Sequence, residues 1–398
     1  MPNKFLPGNQ LTLLCCGDAY FPALLAAINE ARQEIHLESY IFANDPIGRA
    51  VAAALAAAAR RGVTVKVVVD GFGARNFNDD FVPSLQAAGV QCLLYRPEIA
   101  RFRFRRHRLR RLHRKLAVID RKIGFVGGIN LVDDHNVRQE LGPRLDYAVR
   151  VEGAILPDMH MAMAHMWQIV SWASFRRRQR TRPTPPPFPR PAGSQIAAFL
   201  VRDNIRHRND IANAYLKAIH AARREILIAN AYFLPGLRFR HALRAAARRG
   251  VRVSILLQGM TDHPLMQAAT QALYALLLRE GIRVFEYRQG FLHAKVAVID
   301  SEWATVGSSN IDPFSLLLAK EANIAVRDRS FANELRASLL ATLETGAIEL
   351  RADDLERMPW HRRLRNWLGY GIVRLLLGLS GYGQRHLHAD GSDEFPIN

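Results

Sequence analysis

The sequence has few cysteines, few lysines and no long apolar run, and each shortage excludes a class of protein or site. Three cysteines, Cys15, Cys16 and Cys92, are too few for a disulfide framework and lack the spacing of a metal site. We therefore expect a reduced protein that faces the cytoplasm. No apolar stretch reaches the roughly 20 residues that a helix needs to span a bilayer, so a spanning helix is not expected.

Positive charge, by contrast, is abundant. The 398 residues include 55 Lys+Arg and 36 Asp+Glu, which gives a formal net charge of +19, and only seven of the basic residues are lysines. Such a surface attracts a polyanion, either nucleic acid or an anionic membrane. With 49% hydrophobic and 23% charged residues the composition is that of a globular protein, and the length favours two domains.

An internal repeat organises the chain. Residues 31–42 resemble residues 222–233, and each segment is followed by a helix that ends in Arg-Arg-Gly and then by a buried strand. A Pro- and Arg-rich connector separates the two copies. We predict an α/β fold of two similar α/β/α domains related by a pseudo-twofold axis, with the active site at their interface. The predicted boundaries are 1–175 and 196–352 for the domains, 176–195 for the linker, and 353–398 for an amphipathic segment and tail.

The best-matching part of the repeat is an H-x-K-x4-D motif, which lies in the first strand of a predicted β-hairpin. Its residues are His113, Lys115 and Asp120 in the first copy and His293, Lys295 and Asp300 in the second. Chance predicts about 0.01 such motifs in a chain of this composition, so two at matching places are a strong signal. Histidine and lysine two positions apart on a strand project to the same face. The hairpin turns are predicted near Arg121-Lys122 and Ser301-Glu302.

Two such motifs brought together by a pseudo-twofold axis suit phosphoryl chemistry. Two ammonium groups would hold the non-bridging oxygens of a phosphate and stabilise the charge that develops on them. One imidazole would attack phosphorus, and the other would protonate the leaving alcohol. The two aspartates would orient the rings, and the reaction would need no metal and no cofactor. The structural alternative is a pair of surface histidines on duplicated hairpins.

The residues after each motif complete a resemblance to a known family. Gly127-Gly128-Ile129-Asn130 and Gly307-Ser308-Ser309-Asn310 follow the two motifs, and together the pattern resembles the phospholipase D superfamily over roughly residues 10–350. Residues 38–42 and 230–235 belong to the same resemblance, the latter as a pocket-edge strand, although Tyr232 and Phe233 are equally compatible with a core position. Size and layout are similar to bacterial cardiolipin synthases of the B type.

The resemblance implies roles for individual residues. Asn130 and Asn310 would line the substrate pocket, and His113 would be the nucleophile, a choice that the two near-identical motifs leave open on their own. The first copy departs from the usual G-S-x-N pattern because Gly128 stands where serine is common.

The resemblance also implies a reaction and a location. Phosphatidylglycerol would form a covalent phosphohistidine and release glycerol, and the hydroxyl of a second phosphatidylglycerol, or phosphatidylethanolamine, would then accept the phosphatidyl group. The partner would be an anionic phospholipid membrane, with no obligatory nucleic acid, and the protein would lie peripherally on the cytoplasmic face of the cell membrane. A phospholipase D-type hydrolase, a metal-independent nuclease and an inactive lipid-binding module are the alternatives, and the oligomeric state stays open.

Three further segments have less specific interpretations. Residues 101–115 interleave nine basic residues with aromatic and aliphatic ones, which suits a headgroup-docking lip, single-stranded nucleic acid or a solvated loop. Residues 360–379 form an amphipathic pattern with Trp and Arg, typical of a membrane-interface helix or of packing on the second domain. Residues 159–172 favour core packing. Glu140 and Glu321 follow the motifs, and a surface position or a supporting position behind the site residues is favoured over pairing with active-site lysines.

Overall fold

The computed structural model describes residues 4–96, 110–137, 142–173, 191–203, 207–260, 263–312 and 319–379. The first half contains β1 (Leu6–Cys15), α1 (Cys16–Glu30), β2 (Glu34–Ser39), α2 (Pro46–Arg60), β3 (Thr64–Asp70), α3 (Phe77–Asp80), α4 (Val82–Ala87), β4 (Gln91–Tyr95), β5 (Leu116–Ile119), β6 (Ile123–Gly127), β7 (Arg144–Leu145), β8 (Tyr147–Gly153) and α5 (Leu156–Ala173). The second half contains β9 (Gln195–Arg202), α6 (Asp210–Ala221), β10 (Glu225–Asn230), α7 (Leu237–Arg248), β11 (Arg252–Gln258), α8 (Pro264–Gln271), α9 (Tyr274–Arg279), β12 (Arg283–Tyr287), β13 (Phe291–Leu292), β14 (Lys295–Ile299), β15 (Trp303–Gly307), β16 (Glu321–Arg327), α10 (Arg329–Gly346), β17 (Ala347–Glu349), α11 (Ala352–Glu356) and α12 (Trp360–Leu379).

Both halves contribute to a single 15-stranded sheet with the order β17-β12-β11-β10-β14-β15-β16-β9-β1-β8-β6-β5-β2-β3-β4. Read outward from the β9–β1 pair, the order of one half repeats in the other, with β9 matching β1, β16 matching β8 and β14 matching β5. This symmetry confirms the predicted α/β fold of two similar halves. Of the predicted linker, residues 176–190 lie outside the described residues, and β9 already begins at Gln195.

The hydrophobic core has three main parts. Each half packs one sheet face against its own helices, α1 and α2 in the first half and α6 and α7 in the second. A third cluster lies between the halves and takes side chains from both, including Val118 and Tyr147 from one and Leu227, Val296 and Phe331 from the other. The two halves therefore bury apolar surface against each other, and the site between them rests on a shared core.

Both motif hairpins close with a tight turn, and three residues separate the last paired residues of the two strands. Backbone φ is positive at Asp120 (50°) and Arg121 (57°), and at Asp300 (55°) and Ser301 (56°). Two successive residues with positive φ define a type I′ turn, whose twist matches that of the flanking antiparallel strands. The hairpins are confirmed, with each turn one residue earlier than predicted, and the motif aspartate occupies its first central position, where Asp tolerates a left-handed backbone.

Helix α5 confirms the packing prediction for three methionines of residues 159–172, whereas Trp172 is exposed. Met159, Met163 and Met166 are buried, the first two in the cluster shared by the halves. Across the described part of the chain, no helix combines the length and the apolar character that crossing a membrane requires.

Candidate active site between the two halves

Each motif histidine is held by a carboxylate from the opposite half. Nδ1 of His113 lies 3.0 Å from Oε2 of Glu321, the first residue of β16. Nδ1 of His293 lies 2.5 Å from Oδ2 of Asp146, which directly precedes β8. A carboxylate on Nδ1 fixes the ring orientation and the tautomer, so that Nε2 of each imidazole is the nitrogen left for substrate chemistry.

Backbone hydrogen bonds across the interface fix the same two histidines. The amide of His113 donates to the carbonyl of Lys320 (3.0 Å), and the amide of His293 donates to the carbonyl of Leu145 (2.9 Å). Lys320 and Leu145 immediately precede the two carboxylate residues. Each half thus presents a carbonyl and a carboxylate to the histidine of the other, and the two motifs meet as predicted.

The two motif lysines are almost completely buried. Lys115 is 3% exposed and Lys295 is 0% exposed. Nζ of Lys115 donates to the carbonyl of His113 (2.8 Å), and Nζ of Lys295 donates to the carbonyl of His293 and lies 3.7 Å from Oδ2 of Asp146. The pKa of Lys115 is lowered to about 7, mainly by burial; Glu321 opposes the shift and the nearby charge of Lys295 adds to it. An anion placed between these ammonium groups would compensate for their burial.

Burial also sets the charge of the other site groups. It lowers the pKa of His113, and it lowers the pKa of His293 well below the usual range with help from the positive charges of Lys295 and Lys115. Burial raises the pKa of Asp146 to about 6, against the opposing effect of Lys295. Near neutral pH both imidazoles are therefore uncharged before a substrate binds, which is the form that a nucleophile needs.

The ring-orienting role predicted for Asp120 and Asp300 is wrong. The carboxylate of Asp120 accepts hydrogen bonds from the backbone amides of residues 32–34 (2.7–3.0 Å), and Asp300 accepts from those of residues 223–225 (2.8–2.9 Å). Seven residues of extended chain place each aspartate about 23 Å along the strand from its histidine. The aspartates instead form the turn and tie the hairpin to the start of the neighbouring strand, β2 or β10.

The glycine at position 128 has a steric reason. A Cβ on Gly128 would lie 2.3 Å from Oδ1 of Asp146, the carboxylate that holds His293. In the other half, Ser308 Oγ instead donates to Oε2 of Glu321 (2.5 Å), whose side chain is one methylene longer. Glycine with aspartate and serine with glutamate are therefore two matched solutions for placing a carboxylate against a histidine.

Comparison with known proteins agrees with this geometry. A family model described as "Cardiolipin synthase, PLD-like domain" matches residues 24–142 and 215–342, and these two ranges contain both motifs. The chain belongs to this family. Cardiolipin synthase B of Escherichia coli (strain K12) is 41% identical over 388 residues, with 95% of this chain and 91% of the relative covered. Cardiolipin synthase A of Pseudomonas putida (strain W619) is 33% identical over 376 residues, with 93% of this chain and 75% of the relative covered.

Among solved structures, the phosphatidylserine synthase of Haemophilus influenzae Rd KW20 aligns with a TM-score of 0.66 at 12% identity, and the alignment covers 96% of both chains. A polyphosphate kinase from Porphyromonas gingivalis aligns with a TM-score of 0.57 at 17% identity over 94% of this chain and 53% of that one. Both likenesses confirm the fold of the family over nearly the whole chain.

The two asparagines that follow the motifs are buried beside the site in this family member. Oδ1 of Asn130 accepts from the amide of Ile41 (3.1 Å). Asn310 is 5% exposed, and its Oδ1 is buried with no hydrogen-bond partner within the described ranges. Their predicted role in substrate binding stays a prediction.

Aromatic residues from segments 38–42 and 230–235 take different positions. The ring of Tyr40 lies 4.9 Å from the ring of His113, measured between centroids, and 5.4 Å from Nζ of Lys115. Tyr232 lines a small pocket with Gln258. Phe233 is fully buried in the core of the second half, so of the two aromatics in that segment only the tyrosine reaches the pocket.

Sequence reasoning missed Asp146 and left Glu321 between a surface position and a supporting position behind the site, and the structure shows the supporting one. Glu321 is fully buried against His113 rather than on the surface. Asp146 was not identified, because the segment between the motif and the next carboxylate strand is five residues longer in the first half than in the second. When the two motifs are aligned, Asp146 therefore does not fall opposite an acidic residue of the second half. Glu140 and most of the basic segment, residues 101–109, lie outside the described residues.

Proposed function

We propose that this chain is a cardiolipin synthase that transfers a phosphatidyl group from phosphatidylglycerol to the hydroxyl of a second phospholipid. The observation that carries the proposal is the cross-paired site: two imidazoles with their Nε2 atoms available and two buried ammonium groups, in a chain 41% identical to a cardiolipin synthase B over 95% of its length. A phosphodiester bound between Lys115 and Lys295 would place its negative charge against these two buried ammonium groups.

Chemistry at this site takes two displacements. Nε2 of one imidazole forms a bond to phosphorus, the bond from phosphorus to the glycerol oxygen breaks, and that oxygen takes the proton of the second imidazole. The anionic phosphate raises the pKa of this second imidazole. A ring that is neutral before the phosphodiester binds can therefore take up a proton and donate it to the leaving oxygen. In the reverse sense, the acceptor hydroxyl returns a proton to that ring while its oxygen displaces the histidine from phosphorus. We assign His113 as the nucleophile.

Asn310 and the lysines complete the proposed substrate contacts. The ammonium groups bind the two non-bridging oxygens, where charge builds up in each transition state. The buried Oδ1 of Asn310 offers an acceptor to a substrate hydroxyl, and we assign Asn130 to the same substrate pocket. The same proposal places the protein peripherally on the cytoplasmic face of the cell membrane, with phosphatidylethanolamine as an alternative acceptor.

The pH dependence of kcat/KM follows from two buried groups. Asp146, with a pKa raised to about 6, must be ionised to hold His293, and Lys115, with a pKa lowered to about 7, must be protonated to bind the phosphodiester. We therefore expect kcat/KM to follow a narrow bell-shaped curve against pH. Its two limbs should lie near these pKa values, and kcat/KM should fall about tenfold per pH unit on the alkaline side. The alkaline limb should be absent from kcat, because bound phosphate raises the pKa of Lys115.

Lys115 affects the stability of the fold in the opposite direction to its effect on kcat/KM as pH rises. Between pH 7 and the ordinary lysine pKa of 10.5 the unfolded chain binds a proton at this position that the folded protein lacks. Lys115 therefore makes the fold more stable as pH rises through that window, while kcat/KM falls. Initial rates on a soluble short-chain phosphatidylglycerol and melting temperatures, both measured from pH 5 to 10, test this. A kcat/KM that stays flat from pH 7 to 9 would contradict the assignment.

The proposed reaction is tested with purified protein, phosphatidylglycerol vesicles with and without phosphatidylethanolamine, and EDTA, with lipid products read by mass spectrometry. We expect cardiolipin, and its loss in His293→Ala. Phosphatidic acid without cardiolipin would indicate a hydrolase instead. Cleavage of single-stranded DNA in EDTA without any lipid product would indicate a nuclease, and vesicle binding without turnover an inactive lipid-binding module.

A further inference from the structure

The helix α12 packs on the protein with one narrow face. Asn366, Gly369 and Val373 are buried, and Val373 contacts the cluster formed by Leu234, Ala269 and Leu273. A Cβ on Gly369 would lie 2.9 Å from Cβ of Ala268 in α8, so the glycine allows the two helices to approach closely. This contact fixes how α12 is rotated about its axis.

The opposite face of α12 is apolar and exposed. At 3.6 residues per turn, the large apolar side chains of this helix fall on the side directly away from Asn366 and Val373. Trp360 is 75%, Trp367 68% and Leu375 63% exposed. The other members of this outer face are Leu364, Leu368 and Ile372, which are 46–48% exposed. A helix that only completes a fold buries such a stripe, whereas α12 directs it to the outside.

The charged side chains of α12 itself are all positive. Arg363 and Arg374 lie along one border of the apolar stripe and Arg365 along the other, and all three are exposed. The sequence of α12 contains four arginines and no Asp or Glu. Tryptophan and leucine between arginines match the boundary between acyl chains and anionic headgroups, where the rings lie at headgroup depth and the guanidinium groups bind phosphates.

The helix is also placed next to the site. Helix α8, against which α12 packs, contributes Gln267 and Thr270 to the wall of the pocket that Tyr232 lines. Gln258 lies in the same wall, and its Oε1 accepts from the amide of Leu292, the neighbour of His293 (2.9 Å). A surface bound to the outer face of α12 is therefore one helix away from a pocket beside a motif histidine.

We propose that the outer face of α12 docks the enzyme on an anionic phospholipid bilayer and holds the pocket beside His293 at the headgroup layer; this rests on the proposed function for the identity of the lipid. Charge favours a bilayer over a second copy of the chain, because two such faces packed together would bring like-charged arginine borders into contact without acidic partners on the helix. The bilayer instead supplies phosphates for the arginines and acyl chains for the tryptophans.

The test compares full-length variants in flotation with vesicles of phosphatidylglycerol mixed into phosphatidylcholine, and of phosphatidylcholine alone. Replacing the outer face in W360S/W367S/L375S should weaken binding to the anionic vesicles at least tenfold. The matched control is W172S/I348S, which removes apolar residues that are 70% and 56% exposed elsewhere and should bind like the wild type. R363Q/R374Q should lower the preference for anionic over neutral vesicles without abolishing it, because it removes charge from one border of the face and leaves Arg365 on the other.

Two readouts keep this proposal separate from the proposed function. Turnover of a monomeric short-chain phosphatidylglycerol should be equal in the wild type and W360S/W367S/L375S, since no site residue changes; inactivity of both would overturn the reaction and leave the docking result standing. Equal flotation of the outer-face variant and the control would overturn the docking proposal. So would a wild type that is dimeric by light scattering and becomes monomeric in W360S/W367S/L375S, since the face would then bind a second copy.

Discussion

Lys115→Met and Lys295→Met are each expected to lower phosphatidyl transfer by about a thousandfold, the upper range for loss of one preorganised group that stabilises transition-state charge. Both ammonium groups are buried at the bottom of the same site and each is fixed on the carbonyl of its own motif histidine. Either lysine alone would leave one non-bridging oxygen of the pentacoordinate phosphorus without a cation in a site that excludes water.

The matched control for these variants is Lys122→Met, which removes an exposed lysine from the turn of the first motif hairpin. It should retain full activity. Circular dichroism and melting temperature are measured on all three variants, so that a loss of turnover can be separated from a loss of fold. If either Lys115→Met or Lys295→Met turned over at a near-normal rate, the two motifs would not share one phosphate and the single-site description would be wrong.

Asp146→Asn is expected to lower kcat by as much as about 10⁴-fold, the loss that follows when the carboxylate of a Ser-His-Asp triad becomes an amide. The amide keeps the size of the side chain, but it has one acceptor oxygen instead of two and lacks the charge that fixes the tautomer of His293 and stabilises its protonated form. Glu321→Gln should act in the same way on His113. Rates on phosphatidylglycerol and the pH profile of kcat are the measurements.

Asp120→Ala provides the contrast, because Asp120 is part of the H-x-K-x4-D motif and Asp146 is not. Loss of the Asp120 carboxylate removes three hydrogen bonds to the amides of residues 32–34 and leaves alanine in a left-handed turn position. We expect a lower melting temperature with kcat close to that of the wild type. A large fall in kcat for folded Asp120→Ala, with Asp146→Asn nearly unaffected, would reverse the assignment of the two aspartates.

The repeated motif made much of this site predictable from sequence. Histidine and lysine two positions apart on a strand must share a face, and the duplication implies a second copy at the pseudo-twofold position, so His113, Lys115, His293 and Lys295 could be found without coordinates. The hairpins followed from alternating apolar residues on either side of a polar turn.

The carboxylates could not be found in the same way, because their contacts are made across the interface. Asp146 belongs with His293, 147 residues away, and Glu321 with His113, 208 residues away. No local spacing encodes such a contact; it follows from how the strands of one half meet the motif of the other. The role predicted for Asp120 is wrong for a related reason. Residues close in sequence along an extended strand lie far apart in space, about 23 Å for Asp120 and its histidine.

The single sheet and the shared core have a consequence for turnover. Opening the halves like a hinge would separate β1 from β9 and expose the central cluster to water, so we expect the frame around the proposed phosphohistidine to stay closed on the scale of whole domains. A ping-pong enzyme of this kind exchanges its leaving alcohol for the incoming one while the covalent intermediate remains in place. The two half-reactions are then run by one rigid catalytic frame, and the lipids move relative to it.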